Sequence, residues 1–150
     1  GNYHAAIMTD VRAENIDLET ADASDPLRPL GPDEHPMTRA LELARTAAEF
    51  GEVPVGAVIV DSATGELVAA ACNATESDCD PTAHAELVAI RQAAENLDQS
   101  RLSNCDLYVT LEPCPMCAQA ISFARIRRLY YGAADPKGGG VDAGRRRPGG

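Results

Sequence analysis

The spacing of apolar residues divides the chain into helical and extended stretches. Met37, Ala40, Leu41, Ala44 and Ala48 recur at helical spacing. Pro36 suits the first helical turn and Gly51 the stop just past the end, so a helix is expected over 36–50. Residues 55–60 and 67–72 are short apolar runs joined by Asp61-Ser62-Ala63-Thr64-Gly65. With Gly at a turn position, they predict an antiparallel hairpin. Residues 73–82 are polar and read as a loop. Leu87, Ile90, Ala94 and Leu97 predict a second helix that starts near His84. A strand over 107–111, a helix over 114–124 and a strand over 128–131 complete the pattern. That last trio is a βαβ unit, whose strands run parallel through a right-handed crossover. The whole predicts an α/β domain with a mixed sheet and helices on both faces.

The two ends break this rhythm. Residues 1–34 are acidic, contain three prolines between 26 and 32, and predict a flexible or weakly docked arm. From 138 to 150 Gly, Arg and Pro dominate, which predicts a loosely attached tail. The folded domain is thereby expected at 35–137.

Charge sharpens the picture. The net charge of −10 is spread as −6 over residues 1–34, −7 over 35–104 and +3 over 105–150. An acidic chain is a poor non-specific binder of nucleic acid. The basic last third, with Arg125, Arg127, Arg128 and Lys137, leaves room for a specific polyanion contact or for favourable helix-end charges. No apolar run approaches the roughly 18 residues of a membrane span, and residues 1–10 show no secretory pattern. Five cysteines form no disulfide framework, and Cys114-x-x-Cys117 suits metal or redox chemistry in a reducing compartment, the cytoplasm. Cys72, Cys79 and Cys105 are expected to be reduced thiols, partly buried.

Two short motifs carry the chemistry: His84-Ala85-Glu86 and Pro113-Cys114-Pro115-Met116-Cys117. Each falls at a predicted helix start, 30 residues apart across one strand. His-x-Glu with Pro-Cys-x-x-Cys is the signature of zinc deaminases acting on nucleobases. Zinc takes thiolate and imidazole ligands tetrahedrally, so His84, Cys114 and Cys117 supply three and leave a fourth position open for water. A structural zinc site would want a fourth Cys or His, and a redox pair would make the His-x-Glu a coincidence. Cys114 at the N-cap, with Pro115 at the first helical position, places sulfur where unpaired N–H groups favour negative charge. Glu86 lies too close in sequence to His84 to share its ligand role on a regular helix. It is expected to shuttle protons from water to the ring and to the departing ammonia. Asn73, at the end of the hairpin, could read a base or ribose edge, and Val55 and Pro113 could wall a flat ring. Their plainer readings are a turn residue and core packing.

With its neighbours, the pattern resembles the bacterial tRNA-specific adenosine deaminases. The resemblance rests on residues 80–86 (DPTAHAE), 107–117 (LYVTLEPCPMC), 53–58 (VPVGAV) and 131–137 (YGAADPK), and covers about residues 36–142. It implies a three-layer α/β/α cytidine-deaminase-like fold and one Zn2+ per chain on His84, Cys114 and Cys117, with Glu86 catalytic. It also implies a homodimer that converts adenosine to inosine in a tRNA anticodon stem-loop. Asn73 then matches a residue on the flipped nucleoside, and Asp135 and Lys137 match a loop along the RNA. Family members continue into a C-terminal helix that helps to hold the stem-loop, whereas residues 144–150 read GRRRPGG. That ending and the net acidity keep a second expectation open, deamination of a free base or nucleoside of guanine or cytosine type. A third is a non-catalytic RNA-binding partner subunit, against which Glu86 argues.

Overall fold

The computed structural model describes residues 25–133. Helix α1 (Pro36–Glu49) leads into strands β1 (Gly56–Asp61) and β2 (Leu67–Cys72). Helix α2 (Ala85–Leu97), strand β3 (Cys105–Val109), helix α3 (Pro115–Ala124) and strand β4 (Arg128–Tyr131) follow. The sheet order is β2-β1-β3-β4. β1 is antiparallel to both β2 and β3, and β3 and β4 are parallel. The expected hairpin, βαβ unit and mixed sheet are all present.

Alternation along β1 sends its side chains to two cores. Val58 packs with Ala40, Leu43 and Ala47 of α1 and with Ala70 and Cys72 of β2. Ala57 and Ile59 face the other way, toward Val88 and Ala89 of α2 and Ile121 of α3. One helix covers one face and two cover the other, which makes three layers. Gly56 shows how closely α1 approaches. A Cβ built there would lie 2.0 Å from the Ala40 carbonyl oxygen and 2.8 Å from the Ala44 nitrogen. Gly51, at φ 77°, follows the end of α1 where a left-handed residue was expected.

Two expectations shift. The buried stripe of α1 is Arg39, Ala40, Leu43, Ala44 and Ala47, while Leu41 and Ala48 are exposed. On α2 the inner face is Ala85, Glu86, Val88, Ala89, Gln92 and Ala93, and Leu97 is exposed. Polar side chains occupy these inner faces, so counting apolar residues alone rotates each stripe by about one position. Strand β3 also begins and ends two residues earlier than its apolar run. Its polar second residue Asp106 accepts two hydrogen bonds from Arg127, at 2.9 and 2.8 Å.

Of the expected flexible or weakly docked arm, residues 25–34 are described. Leu27 is buried beside α1. Arg39, 1% exposed, donates to the carbonyls of Pro26, Arg28 and Pro29 and to both carboxylate oxygens of Glu34. The tail at 138–150, like Asp135 and Lys137, lies outside the described residues.

At the outer edge, α2 reaches over the sheet. Gln92 Oε1 accepts from the Ala70 amide at 3.3 Å, and Asn96 Nδ2 donates to the Val68 carbonyl at 3.0 Å. Both partners lie on β2.

Candidate active site

Beyond the carboxyl ends of the parallel strands β3 and β4, two helices begin side by side. His84 is the N-cap of α2 and Cys114 the N-cap of α3, both with extended backbones (ψ 150° and 170°). Neither uses its side chain to cap its own helix, which leaves the His84 ring and the Cys114 thiol to face each other. Pro115 occupies the first position of α3, where a missing N–H costs nothing. Cys117, one turn in, is fully buried.

These elements converge on one point. His84 Nδ1 lies 3.6 Å from Cys114 Sγ and 3.5 Å from Cys117 Sγ, and the three donor atoms all lie within 4.8 Å of one another. Tetrahedral zinc, with bonds of roughly 2.3 Å to sulfur and 2.0 Å to nitrogen, sets S to N separations of about 3.6 Å. The donor set and its spacing therefore fit Zn2+. The electrostatics fit too. Burial pushes the Cys117 thiol far above its ordinary range, and the neighbouring Glu86 and Cys114 push further in the same direction. A divalent cation held by His84, Cys114 and Cys117 would reverse that balance and let both sulfurs ionise.

Glu86 is 4% exposed, in the first turn of α2. Burial raises its carboxyl above the usual range; its own backbone N–H, His84 and Cys117 pull the other way without offsetting it. A cavity of about 230 Å³ opens in front of the group, and His84, Glu86, Cys114, Asn73 and Val55 line it. Val53, Thr75, Leu111 and Glu112 complete the lining. Sequence reasoning gave none of these four a site role: Val53, Leu111 and Glu112 lie in the stretches that carry the resemblance, and Thr75 lies in none of them. Pro113, expected as a second apolar wall, is instead fully buried and lines no part of this cavity. Leu111 lines the cavity. A larger hollow of about 530 Å³ at the far end of β1 holds none of the motif residues.

Among the basic candidates, Arg127 is committed to Asp106. Arg125 ends α3 in a left-handed conformation (φ 61°) and is exposed, as is Arg128. Cys72 and Cys105 are buried free thiols and Cys79 is exposed.

Residues 31–133 match the family model of the cytidine and deoxycytidylate deaminase zinc-binding region. The chain is 60% identical over 112 residues to a tRNA-specific adenosine deaminase of Agrobacterium fabrum, covering 75% of this chain and 72% of that protein. It belongs to that deaminase family. A structure determined in a study of A-to-I editing by tRNA:A34 deaminases at the wobble position of transfer RNA superposes with a TM-score of 0.71. It is 58% identical and covers 76% of this deaminase and 83% of that chain. A guanine deaminase of Bacillus subtilis superposes at 0.65 with 41% identity, covering 69% and 66%. Among the described residues no helix of the deaminase is long and apolar enough to cross a membrane.

Proposed function

We propose that the chain deaminates adenosine to inosine at the wobble position of a tRNA anticodon. The observation that carries this reading is the placement of Glu86 beside the His84, Cys114 and Cys117 donors at one cavity, in a chain 60% identical to a tRNA-specific adenosine deaminase. The net reaction adds water at C6 of adenine, breaks the C6–N6 bond and releases ammonia. His84, Cys114 and Cys117 would hold the zinc, which supplies Lewis acidity that makes water a nucleophile near neutral pH. Glu86 takes a proton from the attacking water and delivers it to ring N1. It then takes the second proton of that water from the new C6 hydroxyl and hands it to the departing amine, so that the carbonyl forms as ammonia leaves. Burial, which raises its carboxyl, suits a group that must both accept and donate. Val53, Val55 and Leu111 offer apolar surface to the purine, and the Asn73 amide is the polar contact. Asp135 and Lys137 are assigned to the RNA-facing loop.

The flipped nucleoside must be held against a cost of a few kcal/mol. The chain is taken to act as a homodimer, as its family resemblance implies, and Phe50 and Phe123 are large apolar side chains left exposed. Light scattering should give twice the chain mass. Action on tRNA places the protein in the cytoplasm.

The likeness to a guanine deaminase favours a second reading, a free base as substrate. A product assay on an anticodon stem-loop, run beside free guanine, cytosine, adenosine and cytidine, separates the two. Inosine from the stem-loop alone is expected; xanthine from guanine with untouched RNA would overturn the first reading.

A further inference from the structure

The loop after β2 is tied to a buried carboxylate outside the zinc-site motifs. Glu52 sits between α1 and β1 and is 6% exposed. Its Oε1 accepts from the Thr75 hydroxyl at 3.3 Å and from the Glu76 amide at 3.1 Å. Its Oε2 accepts from the Ser77 amide at 2.7 Å and the Ser77 hydroxyl at 3.0 Å. Both oxygens are thus engaged by three consecutive residues. Burial pushes the Glu52 carboxyl up, but these four hydrogen bonds outweigh it and hold the group below the ordinary glutamate range. It is an ionised carboxylate, which accepts and never donates.

That fact sets a direction along the chain of contacts. A threonine hydroxyl has one hydrogen. The Thr75 hydrogen is used on Glu52, so toward Asn73 this oxygen can only accept. Asn73 Nδ2 does lie 3.4 Å from Thr75 Oγ1. The nitrogen end of the Asn73 amide is therefore held at Thr75, and the oxygen end is left for the cavity that both residues line.

We infer that Glu52 and Thr75 are positioning residues: Glu52 polarises the Thr75 hydroxyl, which orients the Asn73 amide so that its carbonyl oxygen meets the bound nucleoside. The site then offers an acceptor at this point, to a hydroxyl or amino group of the substrate. This rests on the nucleoside-deaminase reading above. A neutral loop anchor would keep the loop in place, yet it would leave the amide free to flip.

The test uses the zinc-loaded 150-residue chain. Thr75→Val removes the acceptor, Thr75→Ser keeps it, and Glu52→Gln removes two of the four acceptor contacts. On the adenosine stem-loop, Thr75→Val should lower kcat/KM roughly three- to tenfold, the size of one lost oriented hydrogen bond. The loss should fall mainly in KM, with zinc content unchanged. Thr75→Ser should restore the wild-type value, and in an Asn73→Ala background Thr75→Val should have no further effect. The substrate-free readout is the Asn73 side-chain amide by NMR. One of its protons should be slow to exchange in the wild type and Thr75→Ser, and fast in Thr75→Val and Glu52→Gln. An Asn73 amide that exchanges alike in all four overturns the inference. So does a Thr75→Val loss that persists undiminished in the Asn73→Ala background. A wild type inactive on the stem-loop but with the expected exchange pattern would remove the proposed substrate and leave the relay standing.

Discussion

Glu86 makes the sharpest claim at the scale of single residues. It lies against the Cys117 thiol without belonging to the ligand set, so Glu86→Ala should keep about one zinc per chain and a wild-type melting temperature. Turnover should fall by at least 10²–10⁴-fold, the usual contribution of a general acid–base group. Metal analysis alongside single-turnover rates checks this; a variant that retains a tenth of the rate shows that protons travel another way. Removal of the metal should act differently. A chelator should abolish activity and lower the melting temperature together, because binding energy on His84, Cys114 and Cys117 is also folding energy. Added zinc should return both. These residues were legible in the sequence because metal and proton chemistry demands particular side chains at fixed spacings. Thr75, Val53 and Leu111 were not, since a hydroxyl or an aliphatic wall has no signature until the chain folds around a cavity.

Elements were legible where periodicity is strong, and their existence and order match expectation. Their faces were less so. Arg39, Glu86 and Gln92 all point inward, each for its own reason: a clamp, a side chain at the cavity of the metal donors and a strand cap. A pattern of apolar letters has no way to see them. The clamp has a measurable strength. Arg39→Ala would strand the half-buried Glu34 and three carbonyls, and should cost about 3–5 kcal/mol, as for other broken buried pairs. Thermal or denaturant unfolding reads this directly. Acid should act on the same contact. Burial raises the Glu34 carboxyl, but the hydrogen bond from Arg39, the Gly31 amide and the charges of Arg39 and Arg28 hold it below its ordinary 4.5. A lowered value means that the stabilisation is complete above pH 4.5 and is lost as pH falls through the folded value. Wild type should therefore lose more stability than Arg39→Ala over that descent. Gly56 supplies a separate check on α1. The backbone of α1 has no room to yield to a Cβ at 2.0 Å, so Gly56→Ala should cost at or above the upper end of the roughly 1–3 kcal/mol typical of overpacking.

For the whole molecule, the governing quantity is charge. A net charge of −10 repels a polyanion, and Arg127 is already spent on Asp106. RNA contacts must then be few and local, and turnover on the stem-loop should fall with salt only in proportion to that small number. The slope is roughly −0.7 per phosphate contact for single strands. Rates at several salt concentrations count those contacts, and a flat profile would mean that recognition is confined to the flipped base.

The two borders of the sheet are not equivalent. At β2 the backbone groups of Val68 and Ala70 already hold side chains of α2. Another extended chain that arrived there would have to displace both amides before it could bond. The molecule is thereby guarded as a building block: the β2 border is closed to growth. Gln92→Leu together with Asn96→Leu should open the closed border. The double variant should form β-rich aggregates on mild heating at concentrations where the parent stays clear, because bare edges template further strands.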